Sequence, residues 1–246
     1  MKHLTWEIKL GILLVVLSAL VYFMHYLIFR DPHHIFIYMI GDIAFVFIEV
    51  LMVTLIIHRL LGEREKSKRL EKLNMVIEVF FSELGTELLT YFSDFDPKLN
   101  KIKSNLIVTS EWSDKEFLSV TKKLKDFDYK IDVKKIDLGY LRDILIKKRE
   151  FLIRLLENPV LLEHESFTEL MRAVFHLTEE LEARKKVESL SNCDCEHVEI
   201  DIERVYVLLV DEWLDYMKYL KDNYPFLFSF AMRTNPFDES ASVAVK

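Results

Sequence analysis

The sequence predicts an all-α protein, an N-terminal transmembrane helical hairpin followed by a cytoplasmic helical bundle. Three observations carry that reading. Two near-continuous apolar runs, residues 10–29 and 35–57, stand five residues apart, and each is long enough to cross the roughly 30 Å hydrocarbon core of a bilayer as a helix. Beyond residue 58, apolar residues recur at spacings of three and four almost everywhere, the period of a helix face. The same stretch holds only Gly62, Gly85 and Gly139, too few turn glycines for an all-β fold.

The 246 residues allow the hairpin at 1–61, a helical stalk at 62–92, a cytoplasmic bundle at 93–237 and a disordered tail at 238–246. Charged residues make up 30% of the chain and fall almost wholly after the apolar runs, so the two halves have unlike compositions. A net charge of −7 without a basic face argues against nucleic acid as a partner.

The first run follows Lys2 and Lys9, a basic flank like that of a secretory signal. Its 20 residues exceed a normal h-region and no small-residue cleavage site follows, so an uncleaved span is expected. Arg59, Arg64, Lys66, Lys68 and Arg69 follow the second run, whereas the connecting loop holds only Arg30. Positive charges stay inside, which places both termini in the cytoplasm of a multi-pass cell-membrane protein. Trp6, Tyr22, Tyr26 and Tyr38 stand near the span ends, where amphipathic rings settle.

Residues 62–69 are charged and free of proline, so the second membrane helix is expected to continue as a stalk towards Tyr91, with Leu70, Leu73, Ile77, Phe80 and Leu84 on one stripe. Asp96-Pro97 reads as an N-cap and first helical proline. Ser113-Asp114-Lys115-Glu116 matches a capping box opening a helix through Phe117 and Leu124. A helix from Asp137 or Gly139 should stop at Asn158-Pro159, which also caps the next one, running to about Leu190. Residues 198–223 form the last long helix. The loose alternation at 131–136 is too short to found a sheet. The aromatic segment 224–232 is expected to pack on the bundle and not on a bilayer surface, because apart from Arg233 it lacks the basic polar face of an interfacial helix.

Asp42 and Glu49 are the sharpest functional signal. Seven residues at 100° each bring the two carboxyls to within about 20° of one another on the second span. Each costs about 2.5–3.5 kcal/mol at the bilayer centre, so both should face protein or water. His25 lies at a depth similar to Asp42 and is its candidate partner within the hairpin. Two functions follow. In the first, His25, Asp42 and Glu49 are assembly contacts of a homo-oligomer whose cytoplasmic bundle is an interaction, sensing or scaffolding module with a protein partner. In the second, several hairpins enclose the carboxylates as a small channel or transporter.

Cys193-Asp194-Cys195-Glu196-His197 offers two thiolates and an imidazole to a metal such as zinc. The one-residue spacing between the cysteines departs from the two-to-four-residue spacing of zinc sites and no fourth ligand is in view, so a loop with incidental cysteines is expected. Likewise His33-His34 beside Asp31 reads as a solvated turn. His164-Glu165 starts like a metalloprotease helix motif, but Thr168 stands where its second histidine belongs. Glu169 and His176 share a helix face without forming the Glu-x-x-His pair of a bundle metal site. No catalytic residue, cofactor or metal ligand is assigned, and enzyme activity has no support in the sequence.

Two stretches carry a resemblance to a group: Phe29-Arg30-Asp31-Pro32-His33-His34-Ile35-Phe36 through His58-Arg59-Leu60-Leu61, and Tyr224-Pro225-Phe226-Leu227 with Arg233-Thr234-Asn235-Pro236-Phe237. On them the chain resembles a group of prokaryotic two-span membrane proteins with a helical cytoplasmic domain. The resemblance covers most of the chain and implies no activity and no site residues.

Overall fold

The computed structural model describes residues 6–244. Lys2, one of the orientation-setting residues, lies outside them, as do the last two residues of the expected tail. The described chain is all-helical and divides into two compact units, Met1–Lys66 and Ser67–Lys246.

In the N-terminal unit, α1 (Trp6–Phe29) is followed by α2 (Pro32–Phe80), whose later turns belong to the second unit. Local hydrogen bonds make the corner between them. Arg30, at φ 49°, ends α1 in the left-handed conformation, its N–H donating to the Tyr26 carbonyl at 2.8 Å. Asp31 Oδ1 accepts from the backbone N–H of His33 and His34 at 3.0 and 3.2 Å, with Pro32 in the first helical turn. Both helices carry windows of mean hydropathy 2.4 and none of either window is buried.

The C-terminal unit reverses that pattern. Leu73, Ile77, Phe80 and Leu84 are buried, as are Leu88 and Phe92. The segment expected to be a stalk is therefore part of the core from Leu73 onward. After α2 the helix widens into a π turn, Phe81–Gly85, then continues as α3 (Thr86–Asp94). Gly85 is required there: a Cβ would stand 2.7 Å from Phe81 Cδ1 and 2.8 Å from Phe80 Cε1.

Asp96 caps only a turn, accepting from the Lys98 N–H at 2.7 Å, and the chain reaches the single-turn α4 (Lys103–Leu106) through a 3₁₀ turn. The capping box before α5 (Asp114–Lys125) forms as expected, with the Ser113 N–H on Glu116 Oε2 at 2.5 Å. Asp137 Oδ1 takes the Tyr140 N–H at 3.0 Å and opens α6 (Leu138–Lys147), which breaks at Lys148 into α7 (Arg149–Leu156) where one helix was expected. Asn158-Pro159 stops α7 but does not cap the next helix; His164 does, for α8 (Glu165–Ala183). Ser191 caps α9 (Asn192–Asn223), its Oγ accepting from the Asp194 N–H at 3.2 Å, so the cysteine run is helical and not a loop. Among the described residues there is no strand, and 131–136 is loop and turn.

The centre of this unit is the α8–α9 pair, with α6 and α7 on α8 and α3, α5 and α10 (Pro225–Arg233) on α9. The aromatic segment is divided. Phe228 is buried, while Phe226 is 90% and Phe230 48% exposed. Beyond α10, Asn235 Nδ2 donates to the Leu106 carbonyl at 2.9 Å and Phe237 packs edge-on to Trp213. Residues 238–244, expected to be disordered, turn back on α10, with the Ser242 N–H on the Arg233 carbonyl at 2.9 Å.

Candidate functional site

Asp42 and Glu49 both lie on α2 with exposed side chains, and among the described residues neither makes an ion pair or hydrogen bond. His25 does not meet Asp42. Its ring stacks on His34 at 6.0 Å between centroids and tilts against Phe29 at 4.7 Å, because the corner at Arg30 brings His34, not Asp42, opposite it. His25, Asp42 and Glu49 are thus placed but not brought together.

The structure gathers a different set, on the facing stripes of α8 and α9. His176 and Glu180 stand four residues apart on α8, and His197 and Asp201 four apart on α9, so each pair projects from one helix face. His176 meets Asp201, Glu180 meets His197 and Arg184 meets Asp194, a register that only antiparallel helices produce. Asp201 Oδ2 lies 3.6 Å from His176 Nε2 and 3.5 Å from His197 Nε2, and Glu180 Oε2 lies 3.6 Å from His197 Nε2. The Asp201 side chain is 3% exposed, its Oδ2 has no hydrogen-bond donor, and Arg204 sits 3.4 Å from the other oxygen. The imidazoles are 44% and 52% exposed, so solvent reaches the cluster from one side. Arg184 donates to Glu180 Oε2 at 2.5 Å, and this hydrogen bond, more than the charges of Arg184 and the two histidines, holds the Glu180 carboxyl below its ordinary range.

Cys193 and Cys195 do not join this set. Two residues apart on a helix they diverge by about 200°, leaving Cys193 exposed and Cys195 against the core. The near-miss motif at His164 is a helix cap: Nδ1 accepts from the Phe167 N–H at 3.4 Å. Neither the cysteine run nor the Glu169–His176 face contains this cluster, whose ligands come in His-x-x-x-acid pairs from two helices. The signal that would have found it is the repetition of His-x-x-x-acid, at 176–180 and 197–201, on the two sides of one helical turn.

Further groups are buried in the same unit. Glu212, 3% exposed, has its carboxyl raised to about 7 by burial, against a hydrogen bond from Ser166 and helped by the charges of Asp215 and Asp211. Burial also raises the Asp96 carboxyl and the Tyr129 and Tyr206 hydroxyls, whose rings meet edge-on at 5.3 Å. A cleft of about 420 Å³ beside them is lined by Ser93, Asp96, Asn100 and Lys103.

Fold and site define an all-helical protein with one helical unit whose apolar windows are unburied and one cored helical unit carrying a histidine–carboxylate cluster. Comparison with known proteins gives the same division. The family described as "MJ1433, N-terminal helical domain" matches residues 1–61, and "Uncharacterized protein MJ1433, C-terminal helical domain" matches residues 69–233. The chain belongs to this MJ1433 family. It is 48% identical over 243 residues to "Uncharacterized protein MJ1433" of Methanocaldococcus jannaschii, covering 99% of this chain and 98% of that one. No solved structure matches it.

Proposed function

We propose that the protein is an integral membrane protein of the cell membrane. α1 and the apolar part of α2 span the bilayer as a hairpin, both termini are cytoplasmic, and the C-terminal unit serves as an interaction, sensing or scaffolding module. The observation that carries this reading is the complete exposure of both apolar windows. Leaving a large apolar side chain in water forfeits about 1.5–3 kcal/mol. Over two such helices the sum reaches the order of tens of kcal/mol, more than a domain's whole stability. Lipid removes that cost. Asp42 and Glu49, unpaired among the described residues, favour a homo-oligomer in which they find partners across chains.

Fractionation of cells expressing the full chain tests this. The protein should remain in the membrane pellet through alkaline carbonate and leave it only with detergent, and protease outside intact cells should spare the C-terminal unit. Recovery in the aqueous fraction, or digestion from outside, would overturn it. A second reading, a small channel built from several hairpins, draws on the same two unpaired carboxylates. It requires that Glu49→Gln abolish a cation or proton flux in proteoliposomes while leaving the oligomer intact.

A further inference from the structure

We propose that His176, His197 and Asp201 form a binding site for one divalent transition-metal ion of the zinc class, open to solvent at its fourth position. The proposal concerns the C-terminal unit alone and stands independently of the membrane reading.

The donor set comes first. Two imidazole nitrogens and one carboxylate oxygen, with a water in the remaining position, are a ligand combination that zinc takes in tetrahedral sites. The three ligand atoms lie within 4.8 Å of one another. The spacing is the second observation. Two ligands about 2.1 Å from a tetrahedral ion stand about 3.4 Å apart along an edge of the tetrahedron. Asp201 Oδ2 lies 3.5 and 3.6 Å from the two Nε2 atoms. These separations are too long for N–H···O hydrogen bonds, which close at about 2.7–3.2 Å, and have the length of such an edge.

The third observation is independent of the cluster's composition. Asp201 Oδ2 is buried, without a donor, and aimed into the space between the two imidazoles. Buried carboxylate oxygens find partners in almost every protein, and an ion bound by both histidines supplies one here. Arg204 engages the opposite oxygen at 3.4 Å and so turns Oδ2 towards the histidines, the outer-shell role that metal-ligating carboxylates share. Glu180, tied to Arg184, stands 3.6 Å from His197 Nε2. The helical hairpin supplies the rigidity, since both His-x-x-x-acid pairs are fixed by the α8–α9 register.

The test uses the full-length protein in detergent micelles, stripped with chelator and carrying His33→Ala and His34→Ala so that the interhelical corner offers no competing imidazoles. Titration with Zn²⁺ alone should give one ion per chain by calorimetry, and Co²⁺ should develop the visible absorption of a tetrahedral nitrogen–oxygen site. His176→Gln, His197→Gln and Asp201→Asn should each weaken Zn²⁺ binding at least about 100-fold, and Arg204→Gln about 10-fold, as loss of an outer-shell partner does. The double variant Cys193→Ser/Cys195→Ser should bind as before. Should Asp201→Asn fail to fold, the two histidine variants, at half-exposed positions, carry the test with circular dichroism confirming their helix content. No Zn²⁺ uptake by the starting protein, unchanged uptake by His197→Gln, or loss of uptake in the double serine variant would each overturn the proposal.

Discussion

Helix α1 in the N-terminal unit and α8 in the C-terminal unit are both rich in apolar residues, and they dispose of them in opposite ways. α8 places Leu170, Val174, Leu177 and Leu181 on one stripe and buries all four. α1 carries apolar residues on every side, and Leu13, Leu17 and Leu20 are 55–61% exposed. A stripe directs a helix to a protein core, while an unbroken apolar circumference finds no polar face to give to water. The comparison teaches that angular distribution, more than apolar content, separates a helix that makes a core from one whose apolar window stays unburied.

The sharpest way to break that comparison is to delete the same side chain from each unit. Phe80→Ala, at a fully buried position, should cost the C-terminal unit about 3–5 kcal/mol. Phe47→Ala, at 74% exposure, should leave the urea midpoint of that unit unchanged. Equal shifts would deny the contrast.

Next in size is the buried acid. Glu212 titrates at about 7 in the fold against an ordinary value of 4.5, so the folded state holds its proton more tightly. The contribution of the protonated carboxyl, on the order of 3 kcal/mol, is whole below about 4.5 and is lost as the pH rises to about 7. Glu212→Gln should therefore be the more stable protein at pH 8, with the advantage shrinking towards pH 5. Parallel urea midpoints across that range would show that burial does not govern this group.

A smaller contrast comes from two glycines. Gly85→Ala drives a methyl into the Phe80 and Phe81 rings and should cost about 1–3 kcal/mol, whereas Gly41, with nothing within 4 Å, should accept alanine without change in thermal midpoint. The smallest effect is expected at the α5 cap, where Ser113→Ala should cost about 1 kcal/mol.

What the sequence disclosed follows the range over which each signal acts. The Ser113–Glu116 box closes within four residues and forms as expected, and of the two starts open for the next helix, Asp137 and Gly139, Asp137 is the cap. The late start of α8 follows from His164, which caps it in place of Asn158-Pro159, and nothing in the local pattern accounts for the break at Lys148. The cysteine run, expected to be a loop, is helical because Ser191 supplies an N-cap and draws it into α9. The cluster was legible only in part: each His-x-x-x-acid pair could be read from spacing, but their meeting depends on the α8–α9 register. Of the stripe expected at Leu70, Leu73, Ile77, Phe80 and Leu84, the last four are buried in the core and Leu70 is 44% exposed, a division that helical spacing alone does not report.

The family match ends at residue 233, just as α10 ends, but the folded unit does not. Asn235 and Phe237 are each 2% exposed, a stopper pushed back between α4 and Trp213. A chain trimmed to the family boundary would leave the Leu106 carbonyl without its donor and uncork the indole face, so protease resistance and solubility of the C-terminal unit hinge on keeping the few residues beyond it.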